Sequence, residues 1–217
     1  MTNEKSKENL VSTPVYTIAA FGEDPAKSKL FKMQLFERSI LMSVHSRRED
    51  GKFELKAMKT SVVSQNDIAD MIMMFKLAKK DFVAGKEFEY VIESKKSAFG
   101  LFGIKKDDEL IAGFAIYDAN EGMVIQNSKI VTPIYNKRRV RAIEATGELV
   151  DKIAPRAVQE FDTIIGLLTA IQNGESNIMS IHLEKLAKKN NPNGGYSREA
   201  NVELDDSTSD SGDEFPF

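Results

Sequence analysis

Apolar and polar residues alternate in short runs through the first two thirds of the chain, with one clear break to helical spacing. Residues 14–21 (PVYTIAAF) alternate weakly and read as a strand. Residues 29–47 form a long β-branched and aromatic run without Pro or Gly, which predicts one bent strand or two strands meeting near Glu37 and Arg38. Arg48-Glu49-Asp50-Gly51 carries the Asp-Gly hairpin signal, and 53–63 returns as a strand. Ser64 followed by Asp67 makes an approximate capping box, and Ile68, Met71, Ile72, Phe75, Ala78 and Phe82 recur every three or four residues. This predicts a helix closed near Gly85, with Lys76, Lys79 and Lys80 at its negative end. Strand signals resume at 87–94, where alternation is strict, at the glycine-interrupted 97–104 (SAFGLFGI), at 109–117 and at 123–134, with a turn over 118–122. From about Val140 the spacing reads as helical: one or two helices over 140–171, with Pro155 in a first turn or at a break, then a last helix over 177–189.

The order is strands, helix, strands, helices, which predicts an α+β fold of curved antiparallel sheets with packed helices. In element order it is similar to the Whirly-type single-strand-binding folds, which use a four-strands-plus-helix unit twice. The alternative is an OB-fold barrel with C-terminal helices, since the helix after 64 also suits that topology. Residues 1–12 read as a disordered arm, 13–189 as the folded domain, and 190–217 as a disordered linker and tail.

Composition narrows the chemistry. The 217 residues contain no cysteine, which excludes disulfides, thiolate metal sites and cysteine nucleophiles, and points to a reducing compartment. No apolar run approaches the ~20 residues of a membrane span, and no apolar stretch follows the charged N-terminus, so a cytoplasmic protein is expected. Net charge is −3, but unevenly placed: residues 198–217 carry −6 and the remainder +3.

The acidic tail NVELDDSTSDSGDEFPF is Asp- and Ser-rich until it ends on two aromatics. An apolar knob beside carboxylates suits a small hydrophobic pocket with a basic rim. This ending resembles the C-terminal peptide of bacterial and bacteriophage single-stranded DNA-binding proteins. The resemblance rests on Asp213, Glu214, Phe215, Pro216 and Phe217, with Asp205, Asp206 and Asp210 adding diffuse charge. It implies recruitment of replication, recombination and repair enzymes, with the last Pro-Phe as the anchor.

Binding a single strand without sequence preference needs cations for phosphates and flat rings for bases. Three stretches offer such residues. In KKSAFGLFGIKK, Lys95 and Lys96 precede Phe99 and Phe102, which precede Lys105 and Lys106; the glycines suggest rings splayed outward. In YNKRRVR, Tyr135 precedes Lys137, Arg138, Arg139 and Arg141, four cations within five positions. Arg47 and Arg48 flank the hairpin tip, with Lys56 and Lys59 on the strand that follows. Solvated surface lysines and core phenylalanines are the plain alternative at each.

Catalysis has little support. His45 lies in a strand-like run and His182 near a helix, there is no G-x-S-x-G elbow, and Asp107-Asp108-Glu109, Glu144 and Glu148 are scattered. No metal, cofactor or catalytic residue is expected. The expectation is a non-catalytic protein that coats single-stranded DNA and recruits partners through its tail. The other readings are an annealing or recombination accessory and a protein-interaction module. The small charge of the body points to oligomers or cooperative arrays.

Overall fold

The computed structural model describes residues 11–20, 27–106, 109–121, 123–134, 137–143 and 149–190, with 137–143 and 149–155 described by backbone alone. Four strands come first: β1 (Ser12–Ala20), β2 (Lys29–Phe36), β3 (Ser39–Ser46) and β4 (Lys59–Ser64). They form one antiparallel sheet in chain order. A short 3₁₀ turn (Gln65–Asp67) leads into helix α1 (Ile68–Val83). Strands β5 (Phe88–Glu93), β6 (Ser97–Lys106), β7 (Glu109–Asn120) and β8 (Met123–Pro133) form a second antiparallel sheet, again in chain order. The hairpin β9 (Lys137–Ile143) and β10 (Leu149–Pro155) precedes helices α2 (Arg156–Gln172) and α3 (Asn177–Asn190). The class is α+β: among the described residues there are two open four-stranded sheets and a two-stranded hairpin, not the OB-fold barrel, with α1 after the first sheet and the hairpin then α2 after the second.

Apolar burial explains the arrangement. The inner faces of the two sheets meet through rings: Phe31 on β2 stacks on Phe114 of β7 with centroids 4.2 Å apart and planes 7° from parallel. Phe99 on β6 lies 5.8 Å from Phe31. Helix α1 inserts Phe75 beside Phe99 and Phe114, and α2 adds Phe161 edge-on to Phe75 at 5.8 Å. All five rings are fully buried. Offset and edge-on pairs of this kind contribute about 0.5–1.5 kcal/mol each beyond the area they bury.

Polar ties fix the periphery. The Tyr16 hydroxyl on β1 donates to the buried Glu160 carboxylate on α2 at 2.6 Å, which also accepts from Arg156 at 2.7 Å. His182 on α3 is fully buried between Thr13 and the Glu37 carbonyl. Glu37 makes the β2–β3 turn at φ +50°, a region unfavourable for a side-chain-bearing residue. Its carboxylate accepts from the Val11 amide and the Lys189 ammonium, both at 3.0 Å. Those bonds, the amide first, hold the Glu37 carboxyl below its usual pKa range.

Three expectations need correction. The 53–63 run becomes strand only at Lys59, because residues 47–58 fold into a loop with one isolated bridge, Arg47 to Phe53. The 118–122 turn is shorter, since β7 runs on to Asn120. The helix expected from Val140 is the β9–β10 hairpin, and helix begins only at Arg156. The β-branched Val140 and Ile143 of RRVRAI suit a strand better than a helix.

The glycines of SAFGLFGI are not flexible joints. Strand β6 is buried on both faces from Ala98 to Gly103. Each glycine leaves room for a neighbour: a Cβ on Gly103 would lie 2.3 Å from the Phe88 ring. Across the ladder, a Cβ on Gly113 would lie 2.5 Å from the Thr132 carbonyl and 2.8 Å from the Phe102 ring. Backbone cannot yield there, so Gly113→Ala should cost about 1–3 kcal/mol in urea unfolding. Gly166→Ala, on α2 with nothing within 4 Å of the new methyl, should instead stabilise by roughly 0.5–1 kcal/mol.

Candidate nucleic-acid interface

Strand β4 is an edge of the first sheet, and the β5–β6 turn of the second lies beside it. Between them is an open cleft of about 630 Å³. One wall is Met58, Lys59, Thr60 and Val62; the other is Ser94, Lys95, Lys96 and Ser97, with Asp118 from β7 at the junction. The Lys59 ammonium spans the two sheets, donating to the Asp118 carboxylate at 2.8 Å and to the Ser128 carbonyl at 2.6 Å. Its side chain is only 13% exposed. A hydroxyl chain crosses the same gap: Ser97 Oγ donates to Ser61 Oγ at 3.2 Å, and Ser94 Oγ donates to the Ser97 carbonyl at 2.9 Å.

The cleft's surface combines cation and oil. Lys95 and Lys96 are exposed at the turn, and Lys56 is exposed in the loop two residues before Met58. Met58, Val62 and Leu55 are exposed apolar side chains at 48%, 39% and 94%. The cleft thus sets Lys95 and Lys96 on one wall across from Met58 and Val62 on the other, an arrangement that can take an anionic chain bearing apolar groups.

The expected site residues divide accordingly. Lys59, Lys95 and Lys96 line the cleft together, although Lys59 is a structural tie more than an open cation, and Lys56 is exposed in the loop that leads to it, outside the lining. Arg47 and Arg48 sit on the same loop, but bond locally: Arg47 Nε to the Gly51 carbonyl at 3.0 Å, and Arg48 to Asp50 at 3.5 Å. Lys105 and Lys106 are exposed at the far end of β6, about 30 Å from Ser97 at the rise of an extended strand. Lys137, Arg138, Arg139 and Arg141 lie on β9, a strand where the spacing predicts the start of a helix. Tyr135 and the tail residues Asp213, Glu214, Phe215, Pro216 and Phe217 lie outside the described residues.

Phe99 and Phe102 are not the splayed rings that the sequence suggests. Phe99 belongs to the ring cluster between the sheets and has no exposure. Phe102 points to the opposite face of the second sheet, packs with Ala98, Ala115 and Tyr117, and is 3% exposed. The Lys129 ammonium lies over it, 5.2 Å from the ring centre. Burial of a ring this large outweighs any gain from presenting it to solvent. Met58, Val62 and Leu55 are the residues missed; their signal is the apolar content of 53–63, which a strand reading assigns to a core.

Titrating groups lie around this frame. On the outer face of the second sheet, Glu89 accepts from Lys129 at 2.5 Å and from the Tyr117 hydroxyl. Burial pushes the Glu89 pKa up, but these two donors outweigh it and leave it below the usual range. The Tyr117 hydroxyl is pushed well above its ordinary value by burial and by Glu89. Under the loop, His45 is buried. The Glu54 carbonyl can only accept, so His45 Nδ1 donates to it at 2.9 Å, and Nε2 is left to accept from Ser43 at 2.9 Å. Burial first, then the charge of Lys32, lowers the His45 pKa. Among the described residues, no group of three or more His, Cys, Asp or Glu is placed to hold a metal ion, and no helix is long and apolar enough to cross a membrane.

No family model matches the chain, and no curated protein does. Among solved structures it is similar to a chain from the crystal structures of Trypanosoma brucei MRP1/MRP2, at 7% identity over 73% of this chain and 85% of that one. The TM-score is 0.39, too slight a likeness to carry function.

His45 offers a test of the loop. Its folded pKa is below the unfolded value of about 6.5, so its contribution to stability is complete above that value. It is lost as pH falls toward the folded pKa. Proton NMR should show its ring titrating below ordinary imidazole, with amide protection in 46–58 falling through the same window. Titration above the ordinary value would contradict the buried neutral ring.

Proposed function

We propose that the protein is a non-catalytic single-stranded DNA-binding protein that coats the strand during replication, recombination or repair. In this reading the acidic C-terminal tail recruits partner enzymes through Phe215-Pro216-Phe217. The observation that carries it is the cleft between β4 and the β5–β6 turn, where lysines from stretches nearly forty residues apart share the lining with the exposed apolar side chains Met58 and Val62. Phosphates would lie along Lys95, Lys96 and Lys56, and the apolar faces of sugars and bases would rest on Met58 and Val62. Lys59 would hold the walls at a fixed spacing. With a body charge of only +3, attraction is local to the cleft rather than spread over the whole surface.

The tail's −6 charge supports a second role, competition for the same cations when DNA is absent. A protein-interaction module is the alternative, and one observation favours it: no aromatic ring among the described residues is fully exposed, so stacking would fall to Met58 and Val62.

Fluorescence anisotropy of a labelled oligothymidylate over a salt series separates the two. Lys95→Ala with Lys96→Ala should weaken binding and flatten the plot of log K against log salt by about 0.7 for each phosphate no longer neutralised. Lys105→Ala with Lys106→Ala should change it far less. Deleting 203–217 should tighten binding at low salt and abolish pull-down of replication or repair enzymes. Failure of both full-length and truncated protein to bind at low salt would leave only the interaction module.

A further inference from the structure

Helix α1 buries Ile68, Met71, Ile72, Met74, Phe75 and Ala78 against the sheets and α2. Its other face is open and not uniformly polar. Met73 is 57% exposed and Leu77 39%. Asp70 and Lys80 are exposed on the same face. Among the described residues, neither charged side chain has a hydrogen-bond or ion-pair partner.

The spacing of these four residues is specific. Asp70, Met73, Leu77 and Lys80 follow one another at three, four and three residues. That is the seam of a helix that packs against another at a shallow crossing of about +20° and an axis separation of about 8–10 Å. The seam is also self-complementary when reversed. In an antiparallel pair the first position of one helix meets the last position of the other. Asp70 then meets Lys80, Met73 meets Leu77, and the same contacts repeat across the two-fold axis. A closed two-fold interface requires this reciprocity, in which residue i meets j and j meets i. Parallel pairing would instead set Asp70 against Asp70 and Lys80 against Lys80. The antiparallel arrangement also sets the positive end of each helix beside the negative end of its partner.

We propose that this face of α1 is a self-association surface: two copies of the chain pair through antiparallel α1 helices, with Met73–Leu77 layers at the centre and Asp70–Lys80 pairs at the ends. A second copy fits the face because both its charges and its apolar residues match their own reversed order. The pairing does not depend on the DNA-binding reading. Were both to hold, a dimer would carry two clefts on one strand, which suits a body with little net charge.

Sedimentation equilibrium on the full-length chain tests it, with circular dichroism to check that each variant is folded. The wild-type protein should sediment as a dimer. Asp70→Lys and Lys80→Asp alone would each place like charges together and should weaken the dimer roughly tenfold or more. The combined variant Asp70→Lys/Lys80→Asp should restore it, because the pairs re-form with exchanged signs. Met73→Ser with Leu77→Ser should give monomer that keeps the wild-type circular dichroism. The proposal is overturned by a wild-type protein that stays monomeric up to its solubility limit. A dimer indifferent to all four variants overturns it too, as does a dimer lost only when 203–217 is removed, which would assign the face to the tail.

Discussion

The stack of rings between the two sheets is the constraint on which the rest depends. Phe31 and Phe114 lie face to face at 4.2 Å, and Phe99, Phe75 and Phe161 close around them from the second sheet and from helices α1 and α2. Five buried rings from five elements leave little freedom in how the sheets meet. Once Phe99 is drawn inward, the turn that precedes β6 is carried to the edge of β4. Lys59 then has an acceptor on each of two strands of the other sheet, Asp118 and Ser128. The cleft is therefore a consequence of core packing: its walls are the edges left over when the inner faces are matched.

That origin shapes its chemistry. Lys59 is nearly buried and doubly bonded, and removing Asp118 would leave its ammonium with poor solvation and one neutral acceptor. It serves the spacing of the walls. In the proposed role, contact with an anionic ligand would fall to Lys95, Lys96 and Lys56, which are exposed, with Met58 and Val62 lining the cleft in place of aromatic rings. A cleft of this composition would bind with marked salt dependence and weak preference among bases.

Much of the fold is legible in the sequence. Strict alternation marks β5, three- and four-residue spacing marks α1, and the polar pair Glu37-Arg38 marks the turn between β2 and β3. What stays hidden depends on contacts distant in sequence. Strand β6 does not alternate because both its faces are covered, so its glycines read as flexibility when they are seats for Phe88 and Tyr117. The β9 strand reads as helix because a short cationic run fits either period. KKSAFGLFGIKK looks like one patch, yet a ten-residue strand sets its lysine pairs at opposite ends. The cleft joins 58–62 to 94–97, and no local pattern connects them. Charge alone points to Lys56, Lys59, Lys95 and Lys96, while the apolar content of 53–63 reads as core strand and hides that Met58 and Val62 stay exposed.

The most direct measurement is amide hydrogen exchange on the full-length protein with and without a saturating oligothymidylate. Binding in the cleft predicts added protection in residues 56–62 and 94–97, its two walls, and little change at 104–106. Protection confined to the far end of β6, or none in either wall at a concentration where the strand is bound, would contradict it.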